Sequence, residues 1–163
     1  MSVSSLTLLL GRAHPALVHA PIGAVLFLPL ALGLALRARQ GEWLRTGCFL
    51  ASIGLLGGLA AMVSGFAFGQ ALGGIAPGAW LAHPLRPEPS FLALLRHHQL
   101  LALTGLPVGI ACALCLARAM RNRRGALRAA FGFSLVWLAL WGAAGHWGGR
   151  MVFREPPGDG SMP

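Results

Sequence analysis

From Pro15 to Leu36 the chain reads PALVHAPIGAVLFLPLALGLAL, without a single Asp, Glu, Arg or Lys. An α-helix rises about 1.5 Å per residue, so roughly 20 apolar residues cross the ~30 Å hydrocarbon layer of a bilayer. This stretch meets both requirements. Three more follow, at Gly47–Ala71, His97–Ala117 and Ala129–Gly149, and they too are free of acids, arginine and lysine. Successive apolar helices joined by short connections pack against their neighbours in alternating direction. The expected fold is all-α, an integral membrane antiparallel four-helix bundle. Residues 1–154 form one four-span domain, and 155–163 form a short flexible tail rich in Pro and Gly.

Composition agrees. Of 163 residues 56% are hydrophobic and 10% charged, with a mean hydropathy of +0.68. A water-soluble domain carries about 25% charged residues, so the missing charge points to a lipid solvent. The net charge of +9 comes from thirteen arginines, with no lysine, against four acids. So basic a chain raises the question of nucleic acid. The arginines, however, fall in short clusters between apolar runs, which is the placement of topology signals rather than of a phosphate-binding face. No nucleic-acid partner is expected; the expected surroundings are membrane lipid.

Arginine bias then sets direction. The loop after the first span holds Arg37, Arg39 and Arg45, and the loop after the third holds Arg118, Arg121, Arg123, Arg124 and Arg128. Arg12, Arg86, Arg96, Arg150 and Arg154 lie on the opposite side. The richer side is expected to face the cytoplasm, leaving both termini outside. Leu72–Arg96, with Pro77, Pro84, Pro87 and Pro89, reads as an irregular outer cap. Met1–Gly11 lacks a charged leader, and its apolar core Leu6–Leu10 is too short to span. It reads as an interfacial lead-in and not as a cleavable export signal. Trp80, Trp141 and Trp147 are expected as outer interfacial anchors and Trp43 as an inner one.

Gly54, Gly58, Ala61, Gly65 and Gly69 recur at steps of three or four, a small-residue stripe that admits another backbone or a flat ligand. Three cysteines make no closed disulfide framework, and Cys112-x-x-Cys115 is followed by no His. With Cys48 they read as small buried hydrophobes. There is no GxSxG, no Walker loop and no carboxylate inside a span, so catalysis of a hydrolytic or transfer type is not expected.

All six histidines map to one side: His14 and His19 at the start of the first span, His83 in the outer loop, His97 and His98 entering the third, His146 near the end of the fourth. Ionisable groups at membrane depth generally face the bundle interior and mark function. By helical phase His19 shares a face with Gly23 and His146 with Gly142, while His98 shares one with Ala102, Gly105 and Gly109. His98 is therefore expected inward and His97 outward. His14 and His19, five residues apart, point to one centre only if the helix is broken, which Pro15 and Pro21 permit.

Convergent imidazoles suit haem iron as axial ligands and also suit copper or zinc. The expected ligands, for haem or for metal, are His19, His98 and His146, with His14 and His97 beside them. Gly23, Gly105 and Gly142 leave space for a flat ring, and Arg96 and Arg150 pair with propionates. The leading expectation is a b-type-cytochrome-like electron-transfer subunit with one haem in the outer leaflet. The others are a copper- or zinc-binding membrane protein and a cofactor-free accessory subunit of a larger membrane complex.

His14-Pro15-Ala16-Leu17-Val18-His19-Ala20-Pro21-Ile22-Gly23 resembles the HPxxVHxPIG opening of a bacterial membrane family, domain of unknown function 2231. The ending His146-Trp147-Gly148-Gly149-Arg150-Met151-Val152-Phe153 resembles that family's paired glycines followed by Val and an aromatic residue. The resemblance carries over to His14, His19, Pro21, His98 (or His97), Gly148 and Gly149. The family's usual Tyr and His-Gly are replaced here by Phe153 and Arg154-Glu155, so the resemblance carries no ligand over from that stretch. Members joined to c-type cytochrome domains imply electron traffic on the outer face and a periplasmic c-type cytochrome as partner. A bacterial inner-membrane location, multi-pass with periplasmic termini, follows as the expected site.

Overall fold

The computed structural model describes residues 5–38, 41–73, 91–121 and 124–153. These form α1 (Ser5–Leu17), α2 (His19–Ala38), α3 (Gly41–Gly73), α4 (Phe91–Ala119) and α5 (Arg124–Phe153). Four stretches are long and apolar enough to cross a membrane: Ser5–Ala38, Gly41–Gly69, Leu94–Ala119 and Arg124–Met151. The outer-cap residues Trp80, His83 and Arg86, the arginines Arg39, Arg123 and Arg154, and the tail lie outside the described residues.

The first span begins earlier than its sequence suggested. Ser5–Leu17 is a helix of 13 residues, and with α2 it makes up the 34-residue apolar stretch Ser5–Ala38. Alone it is too short to span, but it meets α2 at a single turn residue, Val18. The helical bonding carries across that turn, with Val18 N–H donating to His14 O at 3.1 Å and Ile22 N–H to Val18 O at 3.2 Å. Pro21 has no N–H to offer the Leu17 carbonyl, so the joint is where the ladder is weakest. The prolines loosen the helix here without ending it.

Side-chain pairings give the topology. Gly47 lies against Leu32, Gly54 against Val25, Gly57 against Pro21, Gly65 against His14, and Gly11 against Ala67 and Phe68. As one number rises the other falls, so α1 and α2 together run antiparallel to α3. The pairs Gly105–Trp141, Gly109–Trp137 and Gly148–His98 do the same for α4 and α5. Around the bundle α2 neighbours α3 and α5, and α4 neighbours the same two helices, while α1 lies along α3. α3 and α5 therefore face each other across a diagonal.

Two indoles fill that diagonal. Trp137 is 0% exposed and Trp141 7%, and their ring centroids are 5.1 Å apart in an edge-to-face pair. Trp137 lies between Gly54 of α3 and Gly109 of α4, and Trp141 between Gly58 and Gly105. A Cβ at Gly109 would come within 2.6 Å of Trp137 and one at Gly54 within 2.8 Å. The small-residue stripe of α3 thus receives tryptophans of the same chain. Trp141, expected as an outer anchor, belongs to the core instead, because it continues the buried row Ala130, Ser134, Trp137 on α5. Its Nε1–H donates to the Ala102 carbonyl at 3.3 Å, whereas Trp137 Nε1 is buried without an acceptor. Val25, Leu28, Leu32, Cys112 and Leu116 complete the core. Cys112 donates to the Ala130 carbonyl at 3.4 Å, and the three cysteines are free thiols.

The outer surface is apolar. Leu26, Phe27, Leu30, Phe49, Leu56, Val63, Leu114 and Val136 are exposed. In water so continuous an apolar surface would drive association, whereas in a bilayer it faces its proper solvent. The buried hydroxyls of Ser64 and Ser134 bond to carbonyls one turn back, at 3.0 and 2.7 Å, as a lipid setting requires.

Gly58→Ala and Gly105→Ala are expected to lower stability in detergent by about 1–3 kcal/mol or more, since each forces an indole out of its slot. Gly142→Ala, whose Cβ meets nothing within 4 Å, is expected to leave the melting temperature unchanged or raise it. Thermal unfolding of the purified variants compares the two groups.

Candidate functional site

At the end of the bundle beyond Trp141, His14 of α1 and His98 of α4 meet across the other diagonal. Their ring centroids are 6.5 Å apart, with the planes at 85°. His14 reaches this position because the α1–α2 joint preserves helical phase. It stands seven residues before buried Pro21 and eleven before buried Val25, so it continues the inward row of α2. His98 continues the inward row of α4 that passes through Gly105, Gly109 and Cys112.

Each imidazole is tied at Nδ1. His98 Nδ1 lies 2.8 Å from the Ala144 carbonyl of α5. A carbonyl only accepts, so Nδ1 carries the proton and Nε2 keeps its lone pair in the neutral ring. His14 Nδ1 lies 2.9 Å from Ser64 Oγ, and that hydroxyl donates to the Ala61 carbonyl at 3.0 Å. A hydroxyl has one hydrogen. Both bonds are satisfied together only when His14 Nδ1–H donates to Ser64, which again leaves the lone pair on Nε2. The two rings therefore share a tautomer through chemically different partners.

α3 builds the seat for His14 from residues at helical spacing. Ser64 holds Nδ1, Gly65 lies under the ring, where a Cβ would come 3.0 Å from Cε1, and Phe68 stacks at 6.0 Å and 25°. Gly148 does for His98 what Gly65 does for His14, since a Cβ there would stand 3.1 Å from Nδ1.

The other expected residues lie elsewhere. His19 is exposed, with its Nδ1 bonded to the Pro15 carbonyl one turn back. His146 is exposed on the side of α5 opposite the row of Trp137, Trp141 and Ala144. Neither joins His98, so the expected inward trio of His19, His98 and His146 is replaced by the pair His14–His98. Phasing each against the nearest glycine misled, because Gly23 and Gly142 have open space rather than a packed neighbour. Gly105 is buried but occupied by Trp141, so no ring fits beside it. His97 stacks on Trp147 at 4.9 Å and 23°, and Arg150 lies over the same indole at 5.1 Å. Arg96 is half-buried on α4. Among the described residues no three His, Cys, Asp or Glu side chains gather as a metal cage. Sequence reasoning missed Ser64 as a histidine partner; its place in the row Ala61, Ser64, Gly65, Phe68 was the available signal.

A family model of predicted membrane proteins, domain of unknown function 2231, matches residues 12–158. The chain belongs to this family. Both histidines of the pair, Ser64 and Gly148 fall within the matched region. No curated protein and no solved structure matches the chain.

Histidine footprinting with diethylpyrocarbonate in detergent is expected to modify His19 and His146 first, and His14 and His98 slowly. Equal rates at all four positions would contradict the placement described above.

Proposed function

We propose that this member of the domain of unknown function 2231 family is a b-type-cytochrome-like electron-transfer subunit, with one haem ligated by His14 and His98. The observation that carries the reading is the separation of the two rings with both Nδ1 atoms already engaged. Metal–imidazole bonds are about 2.0–2.1 Å. Two imidazoles in line on opposite faces of one metal then have centroids about 6.3 Å apart, against roughly 5.2 Å for a tetrahedral pair. The 6.5 Å found between His14 and His98 is a separation at which both imidazoles would be able to hold one metal. It gives no support to a tetrahedral zinc site, which also needs more ligands than the pair supplies.

Metal-ligating histidines characteristically donate their other ring N–H to a carbonyl, carboxylate or comparable acceptor, which fixes ring orientation and raises basicity. Ser64 and the Ala144 carbonyl fill that role. A bound haem would supply a one-electron couple whose potential depends on its axial ligands and surroundings. The chain's part would be to hold the imidazoles and to exclude lipid and water with Phe68; Arg96, and Arg150 once drawn off Trp147, are the cations that would pair with propionates. Trp141 closes the interior beside Gly105, which confines the site to the histidine end.

The arginine asymmetry, eight on one side against five on the other, supports placing the histidine end on the periplasmic side of a bacterial inner membrane. A single site near one surface relays electrons only along that surface. A quinol or membrane dehydrogenase on one hand and a periplasmic c-type cytochrome on the other are the matching partners.

The test is a dithionite-reduced minus oxidised absorption spectrum of protein purified from haem-replete cells. A b-type α band is expected, abolished in His14→Ala and in His98→Ala and retained in His19→Ala and His146→Ala. A flat spectrum with stoichiometric copper would point to a two-coordinate copper site on the same pair. A flat spectrum without metal would leave an accessory subunit held in its complex by helix packing.

A further inference from the structure

The two imidazoles are held in the same tautomer by unlike acceptors, and the difference has a chemical consequence. The partner of His98 is a backbone carbonyl inside α5, bonded at 2.8 Å. It cannot donate and cannot rotate, so the proton stays on Nδ1. The partner of His14 is a hydroxyl at 2.9 Å. Ser64 is wholly buried, so no water competes for it, yet its hydrogen has two possible destinations. Directed at the Ala61 carbonyl, it leaves Oγ as acceptor and His14 protonated at Nδ1. In a ring whose single proton sits on Nε2, the bare Nδ1 is an acceptor, and the same hydroxyl rotated toward it becomes the donor. The Ala61 carbonyl tolerates the change, because in an α-helix it also receives the amide of the residue four positions on.

The supports of the two residues differ in the same sense. His98 sits within a helix of 29 residues that pairs along its length with α5. His14 sits on α1, which packs on α3 and joins α2 at the turn of Val18, where Pro21 leaves the Leu17 carbonyl without its helical donor. One ligand is locked and the other is held by a hydroxyl that works both ways.

We propose that Ser64 is the positioning residue that presents His14 Nε2 as a ligand, and that His14 is the exchangeable member of the pair while His98 is the permanent one. The exchangeability rests on the haem reading above; the control of tautomer by Ser64 does not. In the Nε2–H tautomer His14 has no lone pair at Nε2 and cannot ligate through it. Release of His14 would then open one coordination position to a small ligand without loss of the group from the protein.

Two measurements on the purified full chain test this. In 15N NMR of histidine-labelled protein, in the dithionite-reduced state, His14 is expected as Nδ1–H in the wild type. It becomes mixed in Ser64→Ala and returns to Nδ1–H in Ser64→Thr. An unchanged His14 tautomer in Ser64→Ala overturns the role of Ser64, whether or not haem is present. The second probe is carbon monoxide added to the reduced protein. The wild type is expected to resist it, Ser64→Ala to bind it with retention weakened about 10- to 100-fold, and Ser64→Thr to resist again. Haem present but equally closed to carbon monoxide in wild type and Ser64→Ala overturns exchangeability alone. A wild type without haem overturns the haem reading, and exchangeability with it, while leaving the tautomer result to stand or fall separately.

Discussion

Trp137 and Trp141, seated against glycines of α3 and α4, are the packing on which the rest of this bundle depends. Helices in lipid gain nothing from the hydrophobic effect by associating, because the tails around them are as apolar as leucine. Association must come from close contact. Here the contact is made by two large planar side chains reaching across a diagonal into slots that exist only because four positions lack a Cβ. The indoles set how far apart α3 and α5 stand, and α4 is drawn against them through Gly105 and Gly109. Trp137 leaves an indole N–H buried without an acceptor, a cost of about 1–3 kcal/mol that the packing of both faces of its ring offsets.

The same two residues define where chemistry can occur. Trp141 occupies the space beside Gly105, which in sequence terms looked open to a flat cofactor. The interior beneath it is filled, and above it the described residues bring together His14, Ser64 and His98 with the carbonyls that serve them. The glycines next to the pair, Gly65 and Gly148, have a separate task. They let each imidazole lie close against a neighbouring helix, so that a short hydroxyl and a backbone carbonyl can reach Nδ1. Small residues in this protein thus serve two purposes that their spacing alone does not tell apart.

Helical phase explains both the success and the failure of reading the histidines from sequence. His98 could be turned inward correctly because Ala102, Gly105 and Gly109 continue its face and are packed. His19 and His146 were phased against Gly23 and Gly142, glycines with nothing opposite them. A glycine on a membrane helix marks either a close approach or an open face, and only a large partner residue decides which. For α5 the tryptophans decide, and they place His146 on the far side. For the first span, the row Pro21, Val25, Leu28 and Leu32 extends back to His14 once the prolines are allowed to sit inside one long rod.

What the sequence determined by itself is the class of the molecule. Four uncharged apolar stretches can satisfy their backbone in lipid only as helices, and short links make successive helices neighbours. Family membership and the gathering of histidines at one end were equally legible, since both depend on order along the chain. Tertiary structure alone decided which histidines meet. That choice depends on the rotation of each helix about its axis, and rotation is set by side chains on other helices: indoles entering glycine slots, a serine one turn from a glycine, a carbonyl 46 positions away in the chain from His98. Periodicity fixes the faces of a helix relative to one another. Only packing says which face turns inward.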